Sequence, residues 1–130
     1  MNNKKQALII TDGNNSIELI ANSIEKSLAG FKVKNCNAKD FCGTDILGAS
    51  SFFIGCEDIN PASFSYLAEM LEHVNLAPRK CGIFSTNKKT LKYLGEILKD
   101  CEASVGEPLL LENGNLKISE ISNWLNKING

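Results

Sequence analysis

Apolar residues recur along this chain in two alternating rhythms. Ala7–Thr11 is a short apolar run with no polar face, as expected of a strand buried on both sides of a sheet. From Ser16 the period changes: Ile17, Ile20, Ala21, Ile24 and Leu28 share one face of a helix that Gly30 stops. Phe31-Lys32-Val33-Lys34 alternates apolar and charged side chains, the mark of an edge or half-exposed strand. Asn35 to Ala49 carries little pattern beyond a short helix near Asp45–Gly48. Ser51–Cys56 is a further apolar strand. Asn60-Pro61 then opens a helix with proline in its first position, where a missing N–H is harmless, and its stripe is Phe64, Leu67, Ala68, Leu71 and Val74. Cys81–Phe84 reads as a strand. A helix from about Lys88 to Cys101 turns Leu91, Leu94, Ile97, Leu98 and Cys101 inward. Pro108–Leu111 is the fifth strand, Asn113-Gly114 a turn, and the last helix carries Ile118, Ile121, Leu125 and Ile128 with Trp124 beside them.

Strand and helix thus alternate five times. That order predicts an α/β chain, one doubly wound domain over residues 1–130, with five parallel strands joined by right-handed crossovers and helices on both faces. A ligand binds such a sheet outside the carboxyl ends of its strands, where the winding reverses. The loops that matter are therefore Thr11–Ser16, Glu57–Asn60 and Ser85–Lys89.

Composition narrows the partners. Hydrophobic residues make up 43% and charged residues 22% of the 130, as in ordinary globular domains. Lys plus Arg number 14 against 15 Asp plus Glu, a net charge of -1, so no strong field draws the chain to nucleic acid or an anionic membrane. Met1–Gln6 is polar and no window approaches a membrane span, so no signal peptide is expected and the expected location is the cytoplasm. The five cysteines (36, 42, 56, 81 and 101) form no C-x-x-C pair and read as reduced thiols of the core. No catalytic constellation stands out. His73 is the sole histidine, on the solvated side of a helix end, and Cys56 at a strand end reads as packing rather than as a nucleophile.

Taken with the element order, the loops resemble those of flavodoxins, from about Ala7 to Ile128. In that family the first strand leads into a hydroxyl-rich loop, often S/T-x-T-G-x-T, that wraps the phosphate of flavin mononucleotide (FMN). Here it reads Thr11-Asp12-Gly13-Asn14-Asn15-Ser16. Family members often end the third strand in Gly-Cys, and Gly55-Cys56 stands there. The resemblance implies a three-layer fold with strand order 2-1-3-4-5, and a module that positions FMN while the flavin does the redox chemistry. It implies a phosphate seat at Thr11, Asp12, Gly13, Asn14, Asn15 and Ser16, with Ile59 and Asn60 along one side of the ring and Thr86 and Asn87 along the other. A redox partner protein would follow from bound FMN.

The departures are chemical. Gly13 stands in place of the middle Thr. Asn14 replaces the Gly, and is expected to supply its left-handed conformation. A carboxylate, Asp12, joins the loop. Flavodoxins usually stack the ring between aromatic side chains, and neither Glu57–Asn60 nor Ser85–Lys89 holds one. The net charge lacks the strong acidity that helps flavodoxins dock on basic partners. Lys88 and Lys89 at a helix start oppose the macrodipole, at about 0.3–1 kcal/mol each, and are either solvated or in contact with an anion or the flavin ring. A second reading is thus a flavin-free flavodoxin-like binding domain whose cofactor site has decayed. A third is a receiver domain with Asp12 as a metal-binding acid and Asp58 as phosphoacceptor, although Asp12 is followed by Gly13 and no Lys-Pro pair follows the fifth strand.

Overall fold

The computed structural model describes residues 5–112 and 116–129. Its centre is a parallel sheet whose inner strands send alternate side chains to two apolar layers. β1 (Lys5–Thr11) sends Ala7 and Ile9 to one layer and Leu8 and Ile10 to the other, and all four are buried. This is why its sequence shows no polar face. β2 (Phe31–Asn37) pairs along β1 and forms the sheet edge. It runs past the expected Lys34, because Asn35, Cys36 and Asn37 keep the ladder although their side chains break the apolar alternation. β3 (Ser51–Gly55) flanks β1 on the other side, and β4 (Lys80–Ser85) follows β3.

The fifth position of the sheet is split. β5 (Ser104–Val105) pairs with Lys80 and Cys81, while β6 (Leu109–Leu110) pairs with Phe84 and Ser85 further along β4. The expected continuous strand Pro108–Leu111 shrinks because Pro108 has no N–H to give a ladder. Ser104–Val105 went unseen in the sequence because it is two residues long and exposed. The resulting order, β2-β1-β3-β4-β5, is the doubly wound order expected.

Helices cover both faces. α1 (Asn15–Ser27) and α5 (Ile118–Asn129) close one layer, where Ile20, Ile24, Trp124 and Ile128 meet Ile9, Phe53 and Phe84. Trp124 belongs to this core: its indole N–H donates to the Glu107 carbonyl (2.7 Å), and its ring centroid lies 5.7 Å from that of Phe53. The opposite layer is closed by α2 (Gly43–Leu47), α3 (Ser65–His73) and α4 (Lys88–Ile97), with short 3-10 turns at Ala38–Asp40 and Ala62–Phe64. α4 ends before Cys101, since Leu98 is already its cap. The expected opening at Asn60-Pro61 shifts too. Asn60 takes a left-handed φ of 52°, Pro61 stays extended, and the helix is reached through the 3-10 turn. The turn expected at Asn113-Gly114 lies outside the described residues.

Cys56, Cys81 and Cys101 are buried, Cys36 is half-buried and Cys42 is exposed, all as free thiols. Burial pushes the Cys56 and Cys81 thiols well up, which keeps them protonated and unreactive at neutral pH. A thiol reagent such as DTNB is therefore expected to label Cys42 quickly and Cys36 slowly in the native chain. All five should react in denaturant, and rapid native labelling of more than two would contradict this burial.

Candidate functional site

The carboxyl ends of β1, β3 and β4 meet in a polar network rather than an open seat. Asp12 is its first node. One of its oxygens accepts from the Asn14 amide and the other from the Glu57 amide, each at 3.0 Å. The carboxylate thus ties the loop after β1 to the loop after β3. Glu57 is the second node: its carbonyl accepts from the Thr90 hydroxyl (2.7 Å) and its carboxylate from the Thr86 hydroxyl. Ser85 completes the lattice, donating to the Cys56 carbonyl (2.7 Å) and accepting from the Asn87 amide (3.1 Å).

The Thr11–Ser16 turn follows from its residues. Gly13 has a φ of +82°, a conformation open to glycine and costly for residues with a Cβ. The left-handed position is therefore Gly13, and Asn14 is extended, contrary to the expectation for Asn14. Asn14 caps α1 instead: its side-chain oxygen accepts from the Ser16 (2.9 Å) and Ile17 (3.3 Å) amides, and the helix starts at Asn15. Such a cap contributes about 1 kcal/mol. Thr11 is 1% exposed, and its hydroxyl accepts from the Gly13 amide at 3.4 Å. Asn15 and Ser16 are exposed at the mouth of the helix.

The expected ring residues separate. Asn87 caps α4, accepting from the Lys89 amide (3.0 Å), and Thr86 is held by Glu57. Both line a cleft of about 640 Å³ with Glu57, Lys88, Lys89, Lys92 and Glu112. Ile59, 53% exposed, lies on the flank of α4 in a shallower groove with Lys89, Lys92, Tyr93 and Glu96. Neither cavity is lined by a residue of the Thr11–Ser16 loop. Burial, with a lesser push from Cys56, raises the Tyr93 hydroxyl to about 12.

Sequence reasoning placed Glu57 and Ser85 in the loops that matter but gave neither a role, and it passed over Thr90, Lys92 and Glu112. Thr90 carried a signal, as a hydroxyl on the inward stripe of Leu91 and Leu94. Glu57 carried none, because a carboxylate in a loop reads as solvated until its hydrogen-bond partners are located.

These residues do not fit FMN in the manner the resemblance implies. The amides of Gly13, Asn14, Ser16 and Ile17 are engaged by the side chains of Thr11, Asp12 and Asn14, so a phosphate at these four amides would have to displace one of those side chains. Only residues 86 and 87 connect β4 to α4, one of them is the helix cap and neither is aromatic, so this connection offers no aromatic face to a ring. The receiver pattern fares no better: the Asp12 carboxylate is spent on two amides, and Asp58 is exposed beyond the end of β3. Among the described residues no group of three or more His, Cys, Asp or Glu is placed to hold a metal, and no helix is long and apolar enough to cross a membrane.

No family model and no curated protein matches the sequence. Solved structures do match. A short-chain flavodoxin associated with a non-canonical PDU bacterial microcompartment superposes with a TM-score of 0.82, covering 96% of this chain and 96% of its own at 14% identity. The flavodoxin of Streptococcus pneumoniae TIGR4 gives 0.81, covering 95% and 97%, also at 14%. A CheY-like receiver domain from Methylobacillus flagellatus, 21% identical, covers 95% and 98% but reaches only 0.52. Strand order, layering and these superpositions agree: the chain has the flavodoxin fold.

Proposed function

We propose that this chain is a flavodoxin-fold binding module that works without flavin, recognising its ligand at the carboxyl end of the sheet. The observation that carries this reading is the self-closed first loop. Asp12 and Asn14 occupy amides at the mouth of α1 that would otherwise meet a phosphate. A hydrogen bond to a charged group contributes about 1.5–3 kcal/mol, so a dianion competing with these internal acceptors loses much of the benefit of the helix terminus. The lack of an aromatic face between β4 and α4 weakens it further. Folds persist when their sites change, since function resides in the loops.

An FMN-dependent electron carrier, handing electrons to a redox partner protein, is the second reading. It is favoured by backbone likeness to flavodoxins over nearly the whole chain and by hydroxyls retained at Thr11 and Ser16. One titration separates the two. With purified chain added to FMN, flavin fluorescence is expected to stay unquenched to about 100 µM protein, a concentration at which a micromolar site would be saturated. Quenching with micromolar affinity would establish the carrier instead.

A further inference from the structure

The cleft between the β3, β4 and β6 ends has a cationic wall. Lys88, Lys89 and Lys92 all line it. On α4 they stand three and four residues apart, so Lys92 shares a face with both others and the like charges repel. None of the three forms an ion pair among the described residues, whereas Lys99 further along the same segment pairs with Glu96 (3.8 Å). Across the cleft stand two carboxylates. Glu57 is fixed by Thr86, and Glu112 is exposed. A second groove shares Lys89 and Lys92 with the cleft and is lined by Ile59, Tyr93 and Glu96, so an apolar surface adjoins the cationic one.

We propose that this cleft binds a phosphorylated small molecule, with the phosphate held by Lys88, Lys89 and Lys92 and the organic part lying toward Ile59 and Tyr93. Its volume of about 640 Å³ is in the range of small-ligand sites. Phosphate oxygens accept charge-assisted bonds from ammonium groups and relieve their mutual repulsion. The donors are side chains, since the Lys89 amide is already engaged by Asn87. Glu57 and Glu112 face the ligand's hydroxyl or amino donors. The site deepens the flavin-free reading and rests on it.

Backbone amide shifts of the full chain provide the test, with inorganic pyrophosphate and ATP as probes and adenosine as the uncharged control. Saturable shifts centred on residues 86–92 are expected with both anions and not with adenosine, with affinity falling as NaCl rises from about 50 to about 300 mM. The triple variant Lys88→Gln, Lys89→Gln, Lys92→Gln should raise both dissociation constants at least tenfold while keeping the native spectrum elsewhere. The salt series on the unmodified chain probes the same charge contacts without relying on the variant, and an affinity indifferent to salt would count against them. Absence of saturation at about 10 mM pyrophosphate, or equal binding by the triple variant, overturns the proposal. Shifts centred on residues 11–17 do so as well. Those last shifts, reproduced by FMN, would overturn the flavin-free reading too, whereas failure at residues 86–92 alone leaves that reading intact.

Discussion

Phe84→Ala is expected to destabilise the chain by about 3–5 kcal/mol, the usual loss for a buried aromatic truncated to a methyl. Phe84 is fully buried and sits opposite Gly55 in the β3–β4 register. The two are made for each other: a Cβ on Gly55 would run into three atoms of the Phe84 ring. Phe84 also meets Trp124 edge-on, with centroids 6.4 Å apart. Removing the ring leaves a void beneath β3 that backbone on one side and an indole on the other cannot fill. Urea unfolding followed by the fluorescence of Trp124 measures it, as a lower midpoint at unchanged slope. Gly55→Ala should cost less in the Phe84→Ala background than alone, because the collision is gone and the methyl partly fills the void. A loss under about 1 kcal/mol, or strict additivity of the two changes, would contradict this packing.

Asp12→Ala is expected to lower stability by about 2–3 kcal/mol and to loosen the site itself. The carboxylate accepts from two part-buried amides on different loops, and each charge-assisted bond contributes about 1.5–3 kcal/mol before water replaces part of it. The amides of Asn14 and Glu57 should then exchange with solvent much faster, while the core strands keep their protection relative to global unfolding. The variant also removes a negative charge and frees the Asn14 amide at the mouth of α1, along with the Glu57 amide of the loop after β3. FMN affinity should therefore rise, by about tenfold if one charge-assisted bond is recovered. Unchanged exchange at Asn14 and Glu57 would show that the latch is not closed in solution.

Much of the fold was legible because the apolar periods are strong. The runs at Ala7–Thr11, Ser51–Cys56 and Cys81–Phe84 have no polar face, and only strands buried on both sides tolerate that. The split fifth strand was illegible because two exposed residues, Ser104 and Val105, carry no period. The missed residues of β2 had the opposite problem, since backbone pairing with β1 holds Asn35–Asn37 whatever their side chains prefer. At the site, the sequence located the loops and not their state. Thr11, Gly13, Asn14 and Asp12 read as a degenerate phosphate grip; folded, they bond chiefly to one another and to Glu57.

The order of apolar periods determined by itself that this would be a doubly wound parallel sheet, because burial on two faces, helix spacing and crossover handedness leave few alternatives. It also determined that no aromatic side chain would stand in the loops after β3 and β4. Only the tertiary structure decided which way Asp12 turns, that Glu57 joins three loops, and that three lysines line one cleft with no acid paired to them among the described residues. Those facts depend on groups brought together from as far as 45 positions apart, and hydrogen bonds and charges between such groups leave no period in the chain.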